Sequence, residues 1–356
     1  MASLGQIRGA LLEEAVLHLL GKVGYDVYDP HAMPATAHMR MGKSGLEVRG
    51  RGSWHQIDAF ATWRHSPAFM YPLNLMVEAK CYAKRNPIGI EVPRNCVGVL
   101  KDISENYFST VTRSGATLQS ARYNYTAAIF STSGYTKGAV EYAVAHQVFL
   151  IQYENIPTIQ PLIDAIYEFG DDCISPRHSA ASKDTIGKVR RYYRERLAGA
   201  LLGNDDTADV LTDRGKALLR GPATLYCRRI QGSYFGMLNG RWPLHLLRRQ
   251  PLPASAFKND TLPCRVLQGT KGQWKFVPTA VEKNSARWFE LEFSLPSVIA
   301  ELVQESQFDE ERMAALQKRY FSFIDLSGII GGIRRNIRLM MEPGWVDRYV
   351  ERERQR

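Results

Sequence analysis

Apolar positions in the first 25 residues recur three and four apart. Leu12, Val16, Leu19, Leu20 and Val23 fall on one stripe, which predicts an amphipathic helix over residues 5–23, closed by Gly24. The period then changes. Over residues 54–63, WHQIDAFATW, Ile57, Ala59, Ala61 and Trp63 take one face of an extended segment, and Gln56, Asp58, Phe60 and Thr62 take the other. Residues 73–82, LNLMVEAKCY, alternate again, with Leu75, Val77, Ala79 and Cys81 opposite Asn74, Met76, Glu78 and Lys80. Helical spacing returns over 92–108, with Val92, Cys96, Val99, Leu100 and Ile103 as its buried stripe. YTAAIFS at 125–131 reads as a buried strand, 137–146 as a helix capped by Ser133 or Thr136, and QVFLIQ at 147–152 as a short strand. Strand, helix and strand in that order imply a parallel crossover. Residues 30–53, rich in Gly, Met, His and Arg, read as loops and a β-turn.

Past residue 175 the pattern loosens. SPRHSAASKDTIG reads as a linker, so a first domain is expected over 1–177 and a second, α+β, domain over 178–356. The second opens with the basic helix KVRRYYRERL and continues with short strands over 220–295. A helix over 296–320 follows, then a strand pair over 321–341 broken at Gly331 and Gly332.

Composition sharpens this division. The chain is 356 residues long with a net charge of +10, yet residues 1–177 hold 16 Lys and Arg against 16 Asp and Glu. The excess therefore lies wholly after residue 177, where a basic surface attracts phosphate. No apolar run approaches the roughly 20 residues that span a bilayer, and two glutamates interrupt the N-terminal apolar stretch. A cytoplasmic protein with no membrane association is expected. The five cysteines are odd in number and none are at CxxC spacing, which argues for reduced thiols over disulfides or structural zinc.

The chemistry-bearing segment is Glu78-Ala79-Lys80. On a strand, residues i and i+2 leave the same face about 6.5–7 Å apart, so Glu78 and Lys80 project together while Ala79 packs inward. If the neighbouring strand pairs with this one, Asp58 lies beside Glu78. Two adjacent carboxylates repel each other, and a divalent cation relieves the repulsion. Mg²⁺ suits such a site because it takes a few carboxylates and retains water and phosphate oxygens as ligands. A metal activates water for phosphodiester hydrolysis, and an ammonium such as Lys80 orients that water and offsets developing charge. The plainer reading of a Glu–Lys pair on a strand is a solvated face.

Four segments in order resemble the Mrr-like restriction endonucleases of the PD-(D/E)XK nuclease superfamily. LEEAVLHLLGKVGY is similar to the opening helix, GSWHQIDAF to the strand bearing an acidic metal ligand, and VEAKCY to the (D/E)xK strand. AAIFSTSGYTKGAVEYA is similar to the later strand, turn and helix. The likeness spans about residues 5–152. It implies an α/β restriction-endonuclease-like three-layer core with a mixed central sheet. It also implies Asp58 and Glu78 as metal ligands with the Ala79 carbonyl, and Lys80 as the catalytic lysine. Ile57 stands where the superfamily name has proline. With Leu12 at zero on the helical wheel, Glu13 sits at about 100°, on the stripe's edge, and Glu14 at about 200°, facing away. Glu13 also aligns with the family's acidic helix position and is the expected fourth catalytic residue.

Several further residues are candidates for substrate contact. Gln56 shares the face of Asp58. Lys137 stands near a helix N-terminus, where backbone N–H groups favour phosphate. Arg190, Arg191 and Arg194 belong to the densest basic cluster, which reads either as a DNA-backbone contact or as a solvated linker helix. His55 points away from Asp58 and is expected to be packed or at the surface.

The expected activity is Mg²⁺-dependent (or Mn²⁺-dependent) cleavage of double-stranded DNA by a homodimer, with restriction or antiviral defence implied by the resemblance. The alternatives are a junction resolvase or repair nuclease with the same core and, in another class, a nuclease-fold binding or sensor module with little catalysis.

Overall fold

In the computed structural model, residues 2–28, 38–42, 45–63, 65–83, 85–106, 109–111, 113–115, 117–119, 122–180, 182–199, 205–268, 273–306 and 309–342 are described. Parts of the expected 30–53 loop region and of the final segment lie outside them. The protein is mixed α/β. The chain runs α1 (Ala2–Val23), β1 (Asp26–Val27), β2 (Met39–Gly42), β3 (Gly45–Arg49), β4 (Trp54–Gln56), β5 (Ala59–Trp63), β6 (Leu73–Lys80) and α2 (Glu91–Ser104). Next come β7 (Ser109–Val111), β8 (Thr117–Gln119), β9 (Asn124–Ser131), α3 (Lys137–Ala145) and β10 (Phe149–Gln152).

A five-stranded mixed sheet, in the order β1-β5-β6-β9-β10, organises this part. β5 pairs antiparallel with β6, and β6, β9 and β10 run parallel. The crossover through α3 occurs as its periodicity requires, with Thr136 accepting from the Ala139 N–H at 3.3 Å as its cap. Helices cover both faces. Leu11, Leu12 and Val16 of α1 pack on Ala61, Val77 and Ala79. Ile103 of α2 and Val140 and Ala143 of α3 pack on Phe60, Met76 and Ile129 on the other side.

The expected continuous strand over 54–63 is two strands. β4 belongs to a separate antiparallel sheet, β2-β3-β4, and the Ile57 N–H still donates to Leu46 O at 2.9 Å. The chain then steps across at Ile57 and Asp58 into β5. Ile57 therefore joins Leu46, Val48 and Phe60 in the core beneath α2 and α3, not the face of Ala59 and Ala61. The break resets which side each residue faces.

Residues after 152 continue the same core. α4 (Gln160–Tyr167) and α5 (Lys183–Ala198) precede α6 (Asp205–Ala208), α7 (Asp213–Leu218) and α8 (Thr224–Arg229). Val189, Tyr193 and Leu197 of α5, with Leu219, Ala223 and Cys227, are buried in one cluster with α1 and the sheet. The boundary expected at 177/178 thus falls inside a core that runs on to Ile230 and takes in Leu247. The reason is α5, whose apolar stripe lies on α1 instead of bridging to a separate domain.

Beyond it, seven strands close a barrel. They are β11 (Gly232–Leu238), β12 (Trp242–Arg248), β13 (Thr261–Gln268), β14 (Trp274–Pro278), β15 (Leu291–Phe293), β16 (Phe323–Ile330) and β17 (Ile333–Met341), in the order β11-β12-β15-β14-β13-β17-β16. α9 (Ser297–Ser306) and α10 (Glu310–Tyr320) divide the single helix expected over 296–320, and Ile299, Val303, Met313 and Leu316 enter the barrel core. Gly331 and Gly332, both at positive φ, turn β16 into β17 as their spacing predicts. A buried chain of hydrogen bonds ties the barrel to the first core. Tyr153 Oη and His245 Nδ1 are 2.8 Å apart, His245 Nε2 and Ser233 Oγ are 2.8 Å apart, and Ser233 Oγ donates to Leu19 O. Burial pushes His245 down to about 3, so it is a neutral ring in this chain. Among the described residues no helix is long and apolar enough to cross a membrane.

Candidate functional site

The register of β5 on β6 builds the site. Ala59 pairs with Val77, so Asp58, one residue ahead of β5, comes level with Glu78. Glu78 and Lys80 leave β6 together where β5 has ended. Lys80 Nζ makes a close ion pair with Glu78 and lies 3.9 Å from Asp58 Oδ2. Asp58 and Glu78 are close enough that the charge of Asp58 acts on Glu78. Gly9 of α1 faces the Ala79 carbonyl, and a Cβ there would meet it at 3.7 Å, an ordinary van der Waals contact, so helix and strand pack against each other here.

Glu13 reaches this point from α1. It is only 6 % exposed, and its charge is felt by Asp58, Glu78 and Lys80. The expected edge position therefore puts it at the site. Glu14 does not face away, however. It is 2 % exposed, because α5 covers the side of α1 that a lone helix on a sheet would leave in water. Arg190 and Arg194 of α5 neutralise it. Arg194 Nε donates to Glu14 Oε2 at 2.7 Å, and Arg190 Nε donates to Glu14 Oε1 at 3.0 Å. Arg190 Nη2 lies 3.0 Å from Glu13 Oε2 and donates to the Asp58 carbonyl at 3.1 Å. Glu13 Oε2 is buried with no well-aligned donor.

Charge and burial set the protonation states. Burial first, then the charge of Glu13, pushes Asp58 up to about 6 against the pull of Lys80 and Arg190. Burial and the Asp58 charge push Glu78 up to about 7. Burial works to discharge Lys80, but Glu78 and Asp58 outweigh it and hold the ammonium at about 12. Burial raises Glu13 against the opposing Arg190, whereas Glu14, equally buried, is pulled below the ordinary carboxylate range by its two arginines. Raised carboxylates around a fixed cation mark a centre whose negative charge is not fully compensated.

Glu13, Asp58 and Lys80 open on a cleft of about 980 Å³ between α1, the end of β6, the β2-β3-β4 sheet and α5, while Glu78 stands behind Lys80 and does not line it. Gln56, Asp58, Ala79 and Lys80 line it from one side, and Arg190, Arg191 and Arg194 from α5. The basic helix is therefore neither a linker nor a free surface. Arg190 and Arg194 are engaged by buried glutamates, while Arg191 is exposed. Lys137 stands exposed as the first residue of α3 and does not line the cleft. His55 points elsewhere, 2.6 Å from Asp102 Oδ2. Sequence reasoning missed Cys96 of α2, whose thiol is raised to about 12 by burial and by the charges of Glu78 and Asp58. It also missed Glu14. All five thiols are free. Among the described residues, no group of three or more His, Cys, Asp and Glu stands in metal-holding geometry.

No family model and no curated protein matches this chain. A solved structure of a protein of unknown function, AF1548, aligns over 60 % of this chain and 98 % of its own at 14 % identity, with a TM-score of 0.32. A likeness that slight carries no argument about fold or activity.

Proposed function

We propose that this chain is a divalent-metal-dependent endonuclease of the Mrr-like kind, with a restriction-endonuclease-like core, that hydrolyses DNA phosphodiester bonds and serves in restriction or antiviral defence. One observation carries the reading. Two carboxyls raised by burial and mutual charge, one ammonium held charged by them, and the buried carboxylate of Glu13 come together, with Glu13, Asp58 and Lys80 opening on one cleft that has arginines along one wall.

The donors are hard oxygens, which suits Mg²⁺ or Mn²⁺. Asp58 and Glu78, with the Ala79 carbonyl, would hold the ion, and Glu13 would face it. A bound cation supplies Lewis acidity and activation of water. The chain's own groups do the rest. Lys80 donates to the attacking water and to a non-bridging phosphate oxygen, stabilising charge as it develops. Gln56 and Arg191 lie along the cleft where a nucleic-acid backbone would run. Cutting both strands of a duplex calls for two such centres, hence a homodimer.

Plasmid incubation with Mg²⁺, Mn²⁺ or EDTA, using the unaltered protein beside Asp58→Ala and Lys80→Ala, tests this. Metal-dependent nicking or linearisation is expected, with each variant reduced at least about a hundredfold. Cutting in EDTA, or undiminished cutting by both variants, refutes it.

A further inference from the structure

The guanidinium of Arg190 touches three groups at once, and two of them belong to the candidate centre. Its Nη2 reaches Glu13 Oε2 and the Asp58 main chain, while its Nε binds Glu14. Glu14 in turn is held by Arg194, one turn further along α5. Two buried carboxylates and two half-buried arginines form a ladder, Glu13–Arg190–Glu14–Arg194, that runs from the centre into the α1–α5 interface. Asp58 stands where the chain steps between two sheets and has no strand partner there to fix it. Arg190 supplies what the strand does not, a donor on the Asp58 carbonyl.

We propose that Arg190 is a positioning residue. Its planar fork sets Glu13 and the Asp58 backbone at the metal-binding end of β6, and Glu14 and Arg194 hold the fork in place. This rests on the nuclease reading and assigns α5, a segment outside the sequence likeness, a part in that centre. An arginine in this role differs from a phosphate contact, because its Nε and Nη2 are already committed to protein oxygens. It also costs the centre something. A fixed positive charge beside Glu13 weakens attraction for a second cation. Geometry and charge therefore make opposite demands on this position, and two substitutions separate them.

Arg190→Gln removes both charge and fork; Arg190→Lys keeps the charge and loses the fork. Mn²⁺ binding to the full chain by calorimetry and metal-dependent plasmid cleavage are the two readouts, with thermal unfolding confirming that each variant is folded. For Arg190→Gln, Mn²⁺ binding is expected to tighten by about tenfold, as a unit charge a few ångströms away in a polar site implies, while turnover falls about a hundredfold from misplaced ligands. For Arg190→Lys, Mn²⁺ affinity is expected to stay within about twofold of the unaltered protein while turnover still falls. A purely structural arginine would instead loosen metal binding in both variants, and that overturns the proposal. So does unchanged turnover in either variant. If the unaltered protein binds Mn²⁺ but cuts nothing, the nuclease reading fails, and Arg190 is judged by the calorimetry alone. If it binds no Mn²⁺, the positioning role fails with it.

Discussion

Arg194 holds Glu14 by both carboxylate oxygens, with Nε 2.7 Å from Oε2 and Nη2 2.8 Å from Oε1, although the two residues are 180 positions apart in the chain. A carboxylate that is 2 % exposed survives only if its charge is matched, and here two guanidiniums match it. Such a pair says little about net stability when intact, but it is costly to break, because the remaining partner is left buried and uncompensated.

Glu14→Ala is therefore expected to destabilise the protein by about 3–5 kcal/mol, with Arg190 and Arg194 both losing the carboxylate that they share. The pH dependence follows from the direction of the shift. The folded chain holds Glu14 below its ordinary value, so its contribution is full above the ordinary carboxylate range and disappears as pH falls below it. Denaturant unfolding at pH 7 and near pH 3 should show a gap between unaltered and variant protein that closes on acidification. A gap that is small at pH 7 would mean that α5 is not held by this contact.

Asp58 and Glu78 carry the opposite sign. Their folded values, about 6 and about 7, lie above the ordinary values of 3.8 and 4.5. Their protonation stabilises the metal-free fold, and that stabilisation is lost as pH rises through about 6 to 7. Asp58→Asn removes one of these charges while Lys80 keeps Glu78. In EDTA at pH 8 the variant is expected to be more stable by on the order of 1 kcal/mol, after allowance for solvent screening, or about 2–4 °C in unfolding temperature. Below about pH 4 the difference should vanish, because Asp58 is then protonated in the folded and unfolded chain alike and resembles Asn. Millimolar Mg²⁺ at pH 8 should raise the unaltered protein and leave the variant where it was. A pH-independent difference between the two would show that Asp58 is not strained by charge.

The local parts of this architecture were legible because their signals are local. The helix stripe through Leu12, Val16 and Leu19, the crossover through α3, and the common face of Glu78 and Lys80 each follow from a period read over a few residues. What escaped depends on partners far along the chain. Alternation over 54–63 looks the same for one strand as for two meeting at Ile57 and Asp58, and only the pairing of Ile57 with Leu46 separates them. Glu14 on a helical wheel faces water unless another helix arrives, and its arginines lie 176 and 180 positions away. The barrel needs β11 to pair with β16 and β13 to run parallel to β17, and no window of sequence shows either. The basic cluster was visible, but the use of Arg190 and Arg194 was not, since a run of arginines reads alike on a solvated helix and against buried glutamates.

One junction joins a legible signal to a hidden one. Gly24 ends α1 with φ at 111°, a conformation that residues with a Cβ rarely adopt, and its N–H caps the Leu20 carbonyl at 3.2 Å. A Cβ there would also meet Arg334 Nε of β17 at 2.5 Å, and the Arg334 guanidinium lies over the Trp63 ring, 5.2 Å from its centroid. Gly24→Ala thus imposes backbone strain and displaces a cation–π contact between the barrel and the sheet. A loss of about 1–3 kcal/mol is expected, read as a lower midpoint in denaturant. Arg334→Ala in the same chain separates the two causes. If the clash dominates, Gly24→Ala costs little once Arg334 is gone; if the backbone dominates, its cost is unchanged. At φ of 111° the backbone term is expected to persist, so the double variant should retain at least about half of the single variant's loss. Full recovery would show that Gly24 is required by the barrel's arginine and not by the turn it makes.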